Sequence, residues 1–115
     1  MTMKIETDDY KVYFDAATSH VVLSGFLRLN GLDAYQPIMD LLLQAVTQSE
    51  ACTIDMRELE FLNSSGISML SMVVVQLREL NQAQLVLIGS QEVLWQVRSL
   101  KNLKRLLPNL QIEFV

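Results

Sequence analysis

Apolar and polar residues alternate in two segments near the start of the chain, Lys11–Ala16 and His20–Leu27. A period of two residues, in segments rich in Val, Tyr and Phe, predicts β-strands. The short stretch Ala17–Ser19 between them predicts a tight turn. The two segments therefore predict an antiparallel hairpin.

Helical and strand-like patterns then alternate to the end of the chain. In Asn30–Ser49 apolar residues recur at helical spacing, and this stripe comprises Leu32, Tyr35, Ile38, Leu42, Ala45 and Val46. Short apolar, β-branched segments predict buried strands. The remaining predicted elements are strands at Ala51–Met56, Ala83–Gly89 and Leu110–Val115, and helices at Ser64–Leu80 and at Ser90–Leu100, the latter capped by Ser90.

This order of elements predicts an α/β fold. Strands that alternate with helices imply crossover connections and parallel pairing, with the antiparallel hairpin at one edge. We expect a mixed sheet of about five strands with an N-terminal antiparallel hairpin and helices packed on the sheet. Residues 1–115 are the length of one typical domain.

Composition and net charge argue against some classes of binding partner. Half of the residues are hydrophobic and 19% are charged, so the chain should fold. The net charge is −4. Nucleic acid and anionic membrane surfaces are not expected partners, because both require a basic patch. Cys52 is the single cysteine, which excludes an intrachain disulfide and fits a reducing, cytoplasmic location.

The sequence contains no recognisable catalytic or metal-binding pattern. His20 is the single histidine and lies in a predicted strand, so we interpret it as structural and not as a catalytic base. Cys52 begins a predicted buried strand and is interpreted as a small core residue. Cys/His clusters with zinc spacing and glycine-rich phosphate loops are missing. We expect no catalytic residues, no metal, no cofactor and no enzymatic activity.

One polar stretch between a strand and a helix carries a candidate modification site, Asn63-Ser64-Ser65-Gly66. Asn and Ser cap helices well, since their side-chain oxygens accept hydrogen bonds from free N–H groups. The same helix N-terminus also favours an added phosphate. In an α/β sheet this stretch lies outside the carboxyl end of a strand, where such folds keep their functional sites. Capping and phosphate acceptance are compatible.

The segment Thr53–Val73, "TIDMRELEFLNSSGISMLSMV", resembles the signature of the STAS domain of bacterial anti-sigma factor antagonists. In that family a buried strand ends in Asp, and a polar turn, an aromatic-apolar pair, Asp-Ser-Ser/Thr-Gly and a helix follow. Here Asp55 stands at the strand end, and Ser64, Ser65 and Gly66 form the core of the motif. The order of elements along the chain is similar as well.

The resemblance implies a regulator that switches partners. Ser64 would be phosphorylated by a serine kinase of the histidine-kinase-like ATPase fold, which is often also the anti-sigma factor. The unphosphorylated form would bind this kinase, the phosphorylated form would release it, and a metal-dependent serine phosphatase would reset the cycle. The alternative is a phosphorylation-independent STAS scaffold or sensory subunit of a larger signalling complex, or a domain that holds a small ligand.

The chain departs from the family at one position, because the residue before the phosphorylated serine is usually Asp and is Asn63 here. Asn keeps the capping oxygen and lacks the negative charge. Since both residues cap well, we expect Asn63→Asp to leave folding nearly unaltered.

The second predicted helix has two different faces. The apolar face that should pack on the sheet comprises Ile67, Leu70, Val73, Val74, Leu77 and Leu80. A second side carries Ser64, Ser68, Ser71 and Val75, with Met69 and Met72 beside them. Small serines allow close approach of another backbone, and methionines adapt to irregular contacts. We expect Ser68, Met69 and Met72 to bind the partner, whereas the competing interpretation is that the methionines fill the core.

Overall fold

A mixed sheet forms the centre of the molecule, and its strands lie side by side in chain order. The computed structural model describes residues 3–48, 51–79, 84–106 and 110–115. Within these ranges the strands are β1 Lys4–Glu6, β2 Tyr10–Asp15, β3 His20–Leu27, β4 Ala51–Leu62, β5 Gln84–Gly89 and β6 Gln111–Phe114. The helices are α1 Leu32–Thr47, α2 Ser64–Glu79 and α3 Leu94–Ser99, followed by a 3₁₀ helix, Leu100–Arg105.

The sheet combines an antiparallel and a parallel half. The pairs β1–β2 and β2–β3 are antiparallel, and the pairs β3–β4, β4–β5 and β5–β6 are parallel. This confirms the predicted α/β class and the predicted hairpin between β2 and β3. The described sheet has six strands, close to the predicted number of about five; the additional edge strand is Lys4–Glu6, which pairs with Tyr13 to Lys11.

The helices pack on one face of the sheet. Side chains of a strand point alternately to its two faces. In β3, Val21 and Leu23 are fully buried, whereas Val22 between them remains partly exposed. The buried positions join α1 and α2 in one core. The opposite sheet face carries no helix in the part of the chain that the structure describes.

The central strand β4 is longer than the sequence predicts. Its pairing with β5 ends at Asp55, but pairing with β3 continues to Leu62 through two register shifts. One shift follows Gly25, whose positive φ of 92° and close approach to the Asp9 carbonyl suit glycine alone. Charged residues in Arg57–Glu60 interrupt the apolar pattern, so the sequence does not predict this half of the strand. Asp55 therefore lies inside β4, so its expected position at the strand end is wrong.

Helix α3 packs beside the part of β4 that follows Asp55 and does not pair with β5. The Gln96 side chain is fully buried, and its Nε2 donates to the carbonyls of Met56 and Leu59. Its Oε1 accepts a hydrogen bond from the Ser90 backbone N–H at 2.8 Å. These bonds satisfy backbone groups that lack a neighbouring strand.

The predicted cap of the third helix is wrong. Helix α3 begins at Leu94 with Val93 as N-cap residue, and Ser90 lies four residues before the helix. The Ser90 hydroxyl instead accepts a hydrogen bond from the Glu92 backbone N–H at 3.2 Å. Such local turns compete with helix formation at Ser residues.

Across the described ranges, no helix is both long and apolar enough to cross a membrane.

Candidate functional site

The N-terminus of α2 is capped by Asn63. Its side-chain Oδ1 accepts a hydrogen bond from the Gly66 backbone N–H at 3.0 Å. Its backbone carbonyl accepts the first helical bond, from the Ile67 N–H at 3.0 Å. Asn63 therefore satisfies donors that a helix start leaves free, as expected for an N-cap residue.

The same carboxamide joins α2 to the loop before α1. The Tyr35 hydroxyl donates to Asn63 Oδ1 at 2.6 Å, and Asn63 Nδ2 donates to the Leu29 carbonyl at 2.8 Å. The Leu29 backbone N–H in turn donates to the Tyr35 hydroxyl at 3.4 Å. Burial raises the pKa of Tyr35, so its hydroxyl stays protonated and available as a donor.

These bonds revise the expectation for Asn63→Asp. A carboxylate keeps the two bonds that Oδ1 accepts and has no hydrogen to donate to Leu29. The sequence identified Asn63 as a cap, but the bond to Leu29 joins residues that are 34 positions apart. Tyr35 was placed on the apolar stripe of α1, and nothing in that pattern signals a role for its hydroxyl.

Gly66 allows α1 and α2 to approach closely at this point. A Cβ atom at position 66 would lie 2.8 Å from the Tyr35 hydroxyl and would collide with the Leu62 side chain. A side chain at position 66 would therefore force apart the contact that holds the cap in place.

The two serines of the motif differ in exposure. Ser64, the first residue of α2, is exposed, and Ser65 is partly buried. Neither hydroxyl makes a hydrogen bond to another described residue, because Asn63 supplies the cap. The first turn of α2 contains no acidic residue. The Ser64 hydroxyl is therefore the accessible one at the positive end of the helix dipole.

The outer side of α2 differs from the prediction at one methionine. Ser68 and Met72 are exposed, with Met72 at 41%, whereas Met69 is fully buried. The expectation that Met69 binds a partner is wrong, because its side chain lies in the core between the sheet and the helices.

The predicted core face of α2 is largely confirmed. In the structure Leu70, Val73, Val74 and Leu77 of this face are buried, as is Met69, and Ile67 is partly buried against the core. Leu80, the last residue predicted for this face, lies outside the described residues.

A groove runs along the exposed side of α2. It has a volume of about 350 Å³ and is lined by Ser71, Met72, Val75, Gln76 and Leu106. The Ser71 hydroxyl donates to the Ile67 carbonyl at 3.1 Å, so it is turned toward its own helix. The lining is accordingly almost entirely apolar. Ser71, Met72 and Val75 were placed on this side of the helix from the sequence, and Leu106 was not.

Asp55 lies apart from the Ser64 motif. About eight residues of strand, roughly 25 Å at the usual rise, separate it from Asn63. Its carboxylate forms a two-point ion pair with Arg57, with Oδ2 to Nη2 at 2.7 Å. Burial opposes ionisation of Asp55, but the Arg57 hydrogen bonds and charge outweigh it, so the pKa of Asp55 lies below its ordinary value. Asp55 thus belongs to a different place on the molecule.

A polar cavity surrounds this ion pair on the uncovered sheet face. It has a volume of about 510 Å³ and is lined by Tyr13, Asp15, Thr18, His20, Val22, Asp55, Arg57 and Glu58. No described group of three or more His, Cys, Asp or Glu residues has a geometry suited to a metal ion.

Cys52 is buried in the core, and this burial raises the pKa of its thiol to about 11.

Comparisons with known proteins agree on the fold. No protein-family model and no curated protein sequence matches the chain. A chain of the crystal structure of the diguanylate cyclase SiaD with its activator SiaC, from Pseudomonas aeruginosa, superposes with a TM-score of 0.70 at 14% identity. That superposition covers 99% of this chain and 100% of the other.

Two further structures are similar. Apo-SiaC from Pseudomonas aeruginosa gives a TM-score of 0.68 at 11% identity, over 98% of this chain and 99% of that one. An anti-sigma factor antagonist from Mycobacterium paratuberculosis gives 0.56 at 19% identity, over 96% of this chain and 84% of that one. The names of these neighbours describe regulators of other proteins. Because the superpositions extend over nearly the whole chain, it has a STAS-like fold in a single small domain.

Proposed function

We propose that this protein is a signalling regulator that binds a partner protein through the start and outer side of α2, and that phosphorylation of Ser64 releases the partner. The observation that carries the proposal is the cap. Because Asn63 and not a serine caps α2, the Ser64 hydroxyl is exposed and has no hydrogen-bond partner among the described residues. Ser65 is less accessible, which favours Ser64 as the phosphate acceptor.

The reaction requires a kinase and ATP. The Ser64 Oγ forms a bond to the γ-phosphorus, the bond from that phosphorus to the bridging oxygen of ATP breaks, and ADP leaves. The Oγ proton passes to a base of the kinase. The phosphate adds about −1.5 to −2 charges at neutral pH. The helix N-terminus tolerates this charge in the free protein. In an interface the same charge must lose its water, which opposes binding.

The proposed partner is a serine kinase of the histidine-kinase-like ATPase fold, and a metal-dependent serine phosphatase removes the phosphate. The resemblance of Thr53–Val73 to the STAS signature supports this pair of enzymes. The similarity to SiaC supports a wider class of partner, since SiaC is named as the activator of an enzyme.

Constitutive docking is the alternative function. It is favoured by Asn63, which stands where the family usually has Asp, and it requires no modification of Ser64. In that case the chain is a scaffold or sensory subunit, and a charge at position 64 has no regulatory effect.

Intact mass spectrometry of the protein isolated from its own cells tests the modification. We expect a fraction heavier by about 80 Da, the mass of one phosphoryl group. Ser64→Ala should remove this fraction, and the matched variant Ser65→Ala should retain it. Full labelling of Ser64→Ala would assign the phosphate to another residue.

The effect on binding needs a separate measurement. The partner is first identified by crosslinking in the same cells, and its affinity is then measured for the purified protein with and without phosphate on Ser64. We expect the phosphate to weaken binding at least about tenfold, since interfacial charges without a partner are costly. Equal affinity of both forms would support constitutive docking.

A further inference from the structure

The groove on α2 has features that define the chemistry of an occupant. Its lining is almost entirely apolar, and one of the lining residues, Met72, is 41% exposed. The groove begins about 10 Å from Ser64, since Ser71 follows by seven residues at 1.5 Å each. An apolar groove with an exposed methionine is typical of surfaces that bind the apolar side of another helix.

Three basic residues lie next to the lining residue Leu106, one through a hydrogen bond and two in sequence. The Arg78 Nη1 donates to the Leu106 carbonyl at 3.2 Å, which fixes its guanidinium beside the lining residue Leu106. Lys104 and Arg105 are exposed and immediately precede Leu106. The ion pairs of the described residues involve other cations, namely Lys4, Lys11 and Arg57. We call Arg78, Lys104 and Arg105 the basic rim; among the described residues none of them forms an ion pair with a carboxylate, although the net charge of the chain is −4.

The lining favours a helical occupant over an extended one. The backbone N–H and C=O groups of an extended segment need partners when they are buried. The described lining offers few, because the Ser71 hydroxyl already donates within α2 and Gln76 is the one other polar residue among the described lining residues. A helix satisfies its own backbone and presents only side chains.

The rim argues against a second copy of this chain as the occupant. Two copies related by a two-fold axis through the groove would bring the same surface patch of each copy together. With the axis along the groove, the rim of Arg78, Lys104 and Arg105 would face its own equivalent. Like charges at that distance repel, whereas carboxylates of a different protein would be attracted.

We propose that the groove between α2 and Leu106 binds one amphipathic, acidic helix of the partner protein. Apolar residues of that helix, one turn apart, contact Met72, Val75 and Leu106, and its carboxylates face the basic rim. The inference rests on the proposed function, because the helix belongs to the regulated partner. It also gives a phosphate on Ser64 a way to act, since this negative charge would lie about 10 Å from the near end of the groove and would repel the carboxylates of the bound helix.

The test uses the full chain and two synthetic peptides of about 15 residues, long enough for a few helical turns. Both carry leucines at helical spacing, with glutamates at every flanking position in one peptide and lysines in the other. Fluorescence polarisation of labelled peptide measures binding. We expect the acidic peptide to bind and the lysine peptide not to bind. Binding should weaken when NaCl rises from about 50 mM to about 500 mM, because salt screens exposed charges.

Matched variants locate the binding site. Met72→Glu should weaken the acidic peptide at least about tenfold, since it places a carboxylate in the groove. Leu94→Glu, at an exposed leucine at the start of α3, should bind as the parent does. Arg105→Glu should weaken binding more than Arg98→Glu, which changes the net charge equally. Met72→Glu should keep its unfolding midpoint within about 4 °C of the parent, as expected for an exposed position.

Three results would overturn the inference. These are equal binding of the two peptides, undiminished binding by Met72→Glu, and a dimer of the parent chain that Met72→Glu dissociates in sedimentation. If the acidic peptide fails to bind while phosphate on Ser64 still releases the full partner, the groove inference falls and the proposed function stands. If the peptide binds and the phosphate has no effect on the partner, the groove inference stands alone.

Discussion

At the scale of single residues, the side chain of Asn63 performs more than one task. Its oxygen caps α2 and accepts from Tyr35, and its nitrogen donates to the Leu29 carbonyl. The capping role follows from local sequence, because it involves residues three positions apart. The other two bonds reach across 28 and 34 positions and depend on the packing of α1 against α2.

We predict that Asn63→Asp destabilises the protein by about 1–3 kcal/mol at neutral pH, the usual cost of leaving a partly buried polar group unsatisfied. The carboxylate introduced at position 63 places an oxygen opposite the Leu29 carbonyl oxygen, and it has no hydrogen to donate to it. Urea unfolding of parent and variant measures the difference. The deficit should shrink in acid, where a protonated carboxyl donates to Leu29. Equal stability at neutral pH would mean that the Leu29 bond contributes nothing.

A second prediction at this scale concerns Asp55 and acid. Its pKa is lower in the folded protein than its ordinary value of 3.8. The unfolded chain therefore binds more protons at this site in the acidic range, so this contribution is complete above the ordinary pKa. It is lost as the pH falls through the folded pKa. The free energy of unfolding should fall between about pH 5 and pH 3.

The check compares parent and Asp55→Asn by urea unfolding across this range. The variant should lose less stability on acidification than the parent does. Glu60→Gln, at an exposed position, should follow the parent. An acid dependence in Asp55→Asn that equals the parent's would exclude the Arg57 pair as its cause.

At the scale of elements, sequence patterns were informative where one face of an element is buried. The stripes of α1 and α2 and the alternation in β2 and β3 match the structure. β1 was missed because three residues are too few for a pattern. The second half of β4 was missed because three of its four residues from Arg57 to Glu60 are charged, and a charged run is typical of a turn.

Helical spacing alone did not separate Met69 from Met72. By helical spacing both fall between the core face and the exposed side of α2, and neither propensity nor hydrophobicity distinguishes two methionines. Their environments are decided by what lies beside α2, since the groove ends where Leu106 approaches the helix. That contact joins positions about 30 residues apart and has no local signal in the sequence.

We predict that Gln96 is the residue on which the docking of α3 most depends. Gln96→Leu leaves the Ser90 N–H and the Met56 carbonyl without the bonds that this side chain makes. The cost should be at least about 2 kcal/mol, since each buried group left unsatisfied costs 1–3 kcal/mol. Gln91→Leu, which loses one exposed bond, should cost less than about 1 kcal/mol. Chemical unfolding of both variants provides the comparison, and similar costs would contradict the prediction.

At the scale of the whole molecule, the helices of the described ranges cover one face of the sheet and leave its other face accessible. The sequence predicted the class of fold because the order of elements restricts the topology. It did not predict that Asp55 and Ser64 lie far apart, because the length of β4 separates them. The similarity of the chain to STAS signatures thus identified the fold and grouped residues that the structure divides between two places.

We predict that Cys52 reports on unfolding of the whole domain. Its side chain is 2% exposed, so a reagent cannot reach the sulfur in the folded state. Burial also raises the pKa of its thiol to about 11, so little of the reactive thiolate is present. At pH 8 a thiol reagent should modify the folded protein at least about a hundredfold more slowly than the protein in concentrated urea. Rapid modification without loss of circular dichroism would instead indicate local opening at the start of β4.

The order of strands in the sheet has a consequence for synthesis on the ribosome. Each strand lies beside the strand that precedes it in the chain, from β1 to β6. A strand that leaves the exit tunnel therefore finds its neighbour already present, and no strand must wait for a later one to fill a gap between them. Translation proceeds from the N-terminus at a few to about 20 residues per second, which is slow compared with hairpin formation. The nascent chain can extend its sheet one strand at a time, and at each stage a single new edge is exposed to other nascent chains.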